Sequence, residues 1–128
     1  MGILERYTVS DLVGMTKIPA HEISKLVFGG LIEPEVYQSS GSGDPSLFGP
    51  RNAKELVLVK ELQRLGVKRA MIRDVVKTLT QSTVDWWQSG GWLVGVGDKW
   101  WLTDNLFAES NQVVIAKASV CFIIRVGV

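Results

Sequence analysis

The sequence predicts an α+β chain, with helices through the first eighty residues and a small antiparallel β-rich region after them. Three observations lead there. Up to Thr80, apolar residues recur at three- and four-residue intervals between Gly and Pro breaks, the spacing of amphipathic helices. Beyond it, runs rich in Val, Ile and Trp replace that spacing. All five tryptophans, Trp86, Trp87, Trp92, Trp100 and Trp101, fall within 16 consecutive positions of this later part. The expected organisation is therefore a helical domain over residues 1–80 and a Trp-rich β region over 81–128.

Composition narrows the class. At 128 residues the chain has the size of one compact domain, or of a small domain with an appendage, which excludes a multidomain enzyme. With 46% hydrophobic and 21% charged residues it has material for a core and none of the bias of a disordered chain. The formal net charge of +1 weighs weakly against a dedicated nucleic-acid binder. Its distribution weighs the other way, since residues 1–80 sum to +2 and residues 81–128 to −1. A single cysteine, Cys121, has no partner for an internal disulfide, and no apolar h-region or 18-residue apolar span is present. A cytoplasmic protein without membrane association is expected.

The elements follow in chain order. Tyr7-Thr8-Val9 is extended in character, and Ser10 stands as an N-cap for a short helix over about 10–15. Pro19 suits the first turn of a second helix, in which Ile23, Leu26 and Val27 repeat at i, i+3, i+4 until Gly29-Gly30 stop it. Leu31 to Tyr37 and Ser46-Leu47-Phe48 are short extended pieces around a Gly/Ser/Pro-rich loop, the pattern of a hairpin. Asn52 with Glu55 makes a capping-box-like start to a third helix, with Leu58, Leu62 and Leu65 marking its apolar face before Gly66. From Val67 a fourth helix turns Ile72, Val75, Val76 and Leu79 inward. Beyond Thr80, Trp92 to Val96 and Lys99 to Thr103 flank Gly97-Asp98 as a second hairpin, and Gln112 to Val128 is a further β-prone stretch.

This order, helix, helix, hairpin wing, helix, helix, resembles the N-terminal winged helix-turn-helix domain of MerR-type transcription regulators. The stretches YTVSDLVGMT, GLIEP, LFGPRNAKELVLVKELQRLGV and IRDVVKTL carry the resemblance over residues 7–79, 73 of the 128. Where the family has Leu-Arg-Tyr-Tyr-Glu on its recognition helix this chain reads Ile23-Ser24-Lys25-Leu26-Val27, and the wing arginine is replaced within Pro45-Ser46-Leu47-Phe48. The resemblance implies duplex DNA as the partner, read by the second helix and the wing, with Thr16, Lys17, His21, Ser24 and Lys25 on or just before the former and Ser39, Ser40 and Ser42 on the latter. Its shortage of arginine implies weak, salt-sensitive binding that a homodimer would reinforce.

Lys60, Arg64, Lys68, Arg69, Arg73 and Lys77 form a basic series on the third and fourth helices. Lys68 and Arg69, at a helix start, are the leading phosphate contacts in it. The five tryptophans admit core filling, a pocket for an apolar effector, or a dimer interface. Adjacent tryptophans on strands face opposite ways, which points one of each pair outward. His21 and Cys121 lack companions for a metal site or a Cys-His nucleophile, so no catalytic residue, metal or cofactor is expected and the protein is read as non-enzymatic. A second reading keeps the fold and drops the DNA, as a protein-interaction or phage-type architectural module that reuses the winged helix-turn-helix.

Overall fold

The computed structural model describes residues 6–37, 46–82, 85–96, 99–104 and 121–126. It is α+β, with helices α1 Val9–Thr16, α2 Ala20–Phe28, α3 Pro50–Arg64, α4 Arg69–Gln81 and α5 Trp86–Ser89, and strands β1 Gly91–Val96, β2 Lys99–Thr103 and β3 Cys121–Val126. The chain divides into two compact units, Met1–Arg69 and Ala70–Val128. The sequence reading sets its boundary at residue 80; the structure puts nearly all of α4 with the second unit.

In the first unit, α1 starts one residue earlier than the sequence suggests, and Thr8 rather than Ser10 caps it. The Thr8 hydroxyl accepts from the Asp11 amide at 3.2 Å while the Asp11 carboxylate accepts from the Thr8 amide at 2.9 Å. This reciprocal pair satisfies two donors that a helix start leaves open. After three intervening residues α2 begins, with Pro19 outside it as N-cap instead of within its first turn. Gly30, at φ 75, ends it in a backbone conformation a side chain would strain, and the Leu31 amide turns back to the Leu26 carbonyl at 3.0 Å.

Two isolated antiparallel bridges follow the expected extended pieces. Tyr37 pairs with Leu47 and Phe48 pairs with Tyr7, so Leu47-Phe48 joins the segment after α2 to the segment before α1. Helix α3 begins at Pro50, two residues before the expected start, with Gly49 as N-cap. Its buried stripe is Asn52, Ala53, Glu55, Leu56, Val59 and Leu62. The expected face of Leu58, Leu62 and Leu65 is thus rotated: Leu58 is half-buried and Leu65 is exposed. The reason is that two of the stripe positions are polar. α1 packs on both α2 and α3, and Leu12, Ile18, Ile23, Leu31, Ile32, Phe48, Leu56, Val59 and Leu62 form the core of this unit. Each such side chain contributes about 1.5–3 kcal/mol of transfer free energy on burial.

In the second unit α4 buries Ile72, Val75, Val76 and Leu79, the stripe its spacing predicts. Trp86 and Trp87 sit in the short helix α5 rather than on a strand. Their rings are 6.1 Å apart at 86°, edge to face. The three strands form an antiparallel sheet in the order β2-β1-β3. Gly95 stands opposite both Trp100 and Phe122, and Val94 opposite both Trp101 and Ile123, so the two adjacent indoles of β2 occupy opposite faces. Residues 97–98, 112–120 and 127–128 of the two predicted β stretches lie outside the described residues.

Candidate nucleic-acid interface

The candidate surface starts at the turn between α1 and α2. Thr16 donates its hydroxyl to the Leu12 carbonyl at 2.7 Å and accepts from the Ile18 amide at 3.2 Å, so this hydroxyl braces the turn. Lys17 follows at φ 63, ψ 18, the one described non-glycine residue with positive φ, and its amide closes the last turn of α1 on the Val13 carbonyl. A left-handed conformation costs a residue with a Cβ about 1–2 kcal/mol. Its side chain stands exposed.

On α2, Ile23 is fully buried and fixes the helix rotation. The opposite face is then set by helical spacing: His21, Ser24, Lys25 and Phe28 stand at i, i+3, i+4 and i+7. His21 and Lys25 are exposed, Ser24 is half-buried, and Phe28 is 90% exposed. The sequence reading names the first three and misses Phe28, whose place seven residues after His21 is the signal that finds it.

The same helix carries an acid, Glu22. Lys60 of α3 donates to its Oε2 at 2.7 Å across a sequence separation of 38 residues. That hydrogen bond, with the charges of Lys60, His21 and Lys25, holds the Glu22 carboxyl below the ordinary glutamate range. An anion approaching His21 and Lys25 therefore meets an acid already matched by a cation. Arg64 is committed in turn to Glu61 one turn before it, which lowers the acid's pKa and raises the arginine's. Within the basic series Lys60 and Arg64 thus have carboxylate partners, whereas Lys68 and Arg69 are exposed and no ion pair is found for them among the described residues. The Arg69 guanidinium lies against Gly29, where α2 ends. Arg73 and Lys77 are exposed on α4 in the second unit. Ser39, Ser40 and Ser42 lie outside the described residues.

The tryptophans divide by environment. Trp86, at 1% exposure, fills the interior of the second unit and offers no surface to a partner. Trp87, Trp92, Trp100 and Trp101 are half-buried. Trp100 stacks on Phe122 at 5.9 Å and 29°, and the Arg125 guanidinium lies 5.5 Å from the centre of the Trp92 ring. Among the described residues no group of three or more His, Cys, Asp or Glu side chains gathers at one place. Among the same residues no helix is long and apolar enough to cross a membrane.

No family model matches the sequence, and no curated protein matches it.

Proposed function

We propose that the chain is a non-enzymatic, cytoplasmic, duplex-DNA-binding regulator built on a MerR-like winged helix-turn-helix. Helix α2 enters the major groove and the hairpin around Tyr37 and Leu47 acts as the wing against the neighbouring backbone. The observation that carries this reading is the outward row His21, Ser24, Lys25 and Phe28 on α2, adjoining exposed Lys17, on a helix whose one acid is paired away by Lys60. Lys17, Lys25, Lys68 and Arg69 contact phosphate, and His21 and Ser24 reach base edges or phosphate. The half-buried tryptophans of the second unit serve a homodimer interface or an apolar effector.

A salt titration of binding to random duplex DNA tests this. Each phosphate contact adds about 0.9 to the magnitude of the log–log slope. Lys17→Ala and Lys25→Ala should each lower that magnitude by about one while weakening all sequences alike. A slope near zero for the unaltered protein refutes DNA binding. It would favour the protein-interaction reading, which has its own support in the carboxylate partners of Lys60 and Arg64 and in the bracing role of the Thr16 hydroxyl.

A further inference from the structure

Asn52 lies in the first turn of α3, with no exposed surface, and its amide makes four hydrogen bonds. Oδ1 accepts from the backbone amide of Glu35 at 2.9 Å and from that of Gly49 at 3.2 Å. Nδ2 donates to the Glu33 carbonyl at 2.9 Å and to Glu55 Oε1 at 2.8 Å. This is the full capacity of a carboxamide, two bonds accepted and two donated.

Glu35 and Gly49 are the two ends of a fifteen-residue excursion of the chain, 35–49, and one oxygen atom receives both of them. Just inside those ends lie the paired Tyr37 and Leu47. Glu35 strengthens the closure, because its Oε1 accepts from the Arg51 amide at 2.9 Å and its side chain occupies the space a Cβ on Gly49 would need. Three of the four bonds go to backbone groups of Glu33, Glu35 and Gly49, so the amide both stabilises the start of α3 and ties the excursion to it. The rest of the stripe, Ala53, Leu56, Val59 and Leu62, is apolar apart from Glu55, which is itself bonded to Asn52. What an amide supplies, and an apolar side chain does not, is a fixed direction for both ends of the excursion.

We propose that Asn52 is a positioning residue for DNA binding. It sets the direction in which the Tyr37/Leu47 pair leaves α3, and through that pair the contact with the DNA backbone. This rests on the duplex-DNA reading above, so the experiment has one readout without DNA and one with it. Amide hydrogen exchange is followed at Tyr37 and Leu47 in the free full-length protein, and binding to random duplex DNA is titrated with salt.

Asn52→Leu removes all four bonds. Exchange at Tyr37 and Leu47 is expected to accelerate while amides within α1 and α2 keep their protection, and affinity for duplex DNA is expected to fall about tenfold at an unchanged salt slope, because residues 35–49 carry no lysine or arginine. Asn52→Asp keeps the acceptor for Glu35 and Gly49 and loses the donors. With both ends of the excursion still held, it should keep exchange at Tyr37 and Leu47 slow where Asn52→Leu does not. Should Asn52→Leu fail to fold, Asn52→Ser, too short to span both amides, takes its place with the same expectations.

The proposal is overturned if the variant lacking the acceptor exchanges at Tyr37 and Leu47 like the unaltered protein. It is overturned equally if protection falls uniformly across the first unit, or if a DNA-binding wild type keeps its full affinity in that variant. If the unaltered protein binds no duplex DNA, the functional reading fails separately, and the exchange pattern still decides whether Asn52 directs the pair.

Discussion

Replacing Gly95 by alanine tests the packing of the second unit. A Cβ at Gly95 would stand 2.6 Å from Trp100 Cζ3 and 2.7 Å from Cε3 and Cη2. Carbon atoms pack comfortably at about 3.5–4.0 Å, so the indole must retreat by about 1 Å. Its retreat is opposed by Phe122, stacked on it at 5.9 Å. Overpacking of this kind costs about 1–3 kcal/mol, disturbance of the aromatic pair up to about 1 kcal/mol, and exchanging glycine for alanine in a strand returns about 0.5–1 kcal/mol. The net expectation is a loss of about 1–2 kcal/mol, the clash outweighing the backbone gain. Urea unfolding followed by far-ultraviolet circular dichroism measures it as a lower midpoint at unchanged slope. The same substitution on a Trp100→Ala background should be neutral or slightly stabilising, giving a coupling of about 2 kcal/mol between the positions. An equal loss in both backgrounds, or a gain in the original one, refutes the assignment of Gly95 to the indole.

Other outcomes follow from single contacts. Thr8→Ala removes the reciprocal cap of α1 and should cost about 1 kcal/mol by chemical denaturation, with Ser10→Ala near neutral. Trp86→Ala empties the interior of the second unit and should cost about 3–5 kcal/mol, read as a large fall in melting temperature. The Glu22–Lys60 pair should make a small contribution to stability that acid removes. Because the Glu22 carboxyl is held below its usual value in the folded state, that contribution is complete above the usual glutamate range and fades as pH falls through the lower folded value. A Lys60→Ala variant should lack this acid-dependent component, and high salt should reduce the difference between the two proteins.

Much of the fold is legible in the sequence where one local rule decides it. α4 is an example, because Ile72, Val75, Val76 and Leu79 repeat at i, i+3, i+4 and i+7 with polar residues between, and all four are buried. α3 is harder to read. Its inward face includes Asn52 and Glu55, and a search for apolar spacing passes over buried polar groups whose partners lie elsewhere in the chain. The start of α1 is ambiguous between Thr8 and Ser10, and the acid three residues after Thr8 decides it. Trp86-Trp87 look strand-like from side-chain preference, yet the chain makes one helical turn there before β1 begins. On the candidate interface, His21 and Lys25 are legible from helical spacing. The link from Lys60 to Glu22 is not, since it depends on how α2 and α3 come together across 38 residues of sequence.

The Trp86–Trp87 geometry has an optical consequence. Two indoles 6.1 Å apart place their transition dipoles close enough to couple, and coupling held in a fixed chiral arrangement gives circular dichroism in the aromatic region. One of the two rings is sealed from solvent, so its emission reports an apolar surrounding while the unit is folded. Circular dichroism in the aromatic region and fluorescence colour should change together when α5 loosens. Unfolding or ligand occupancy near α5 can thus be followed without any attached label.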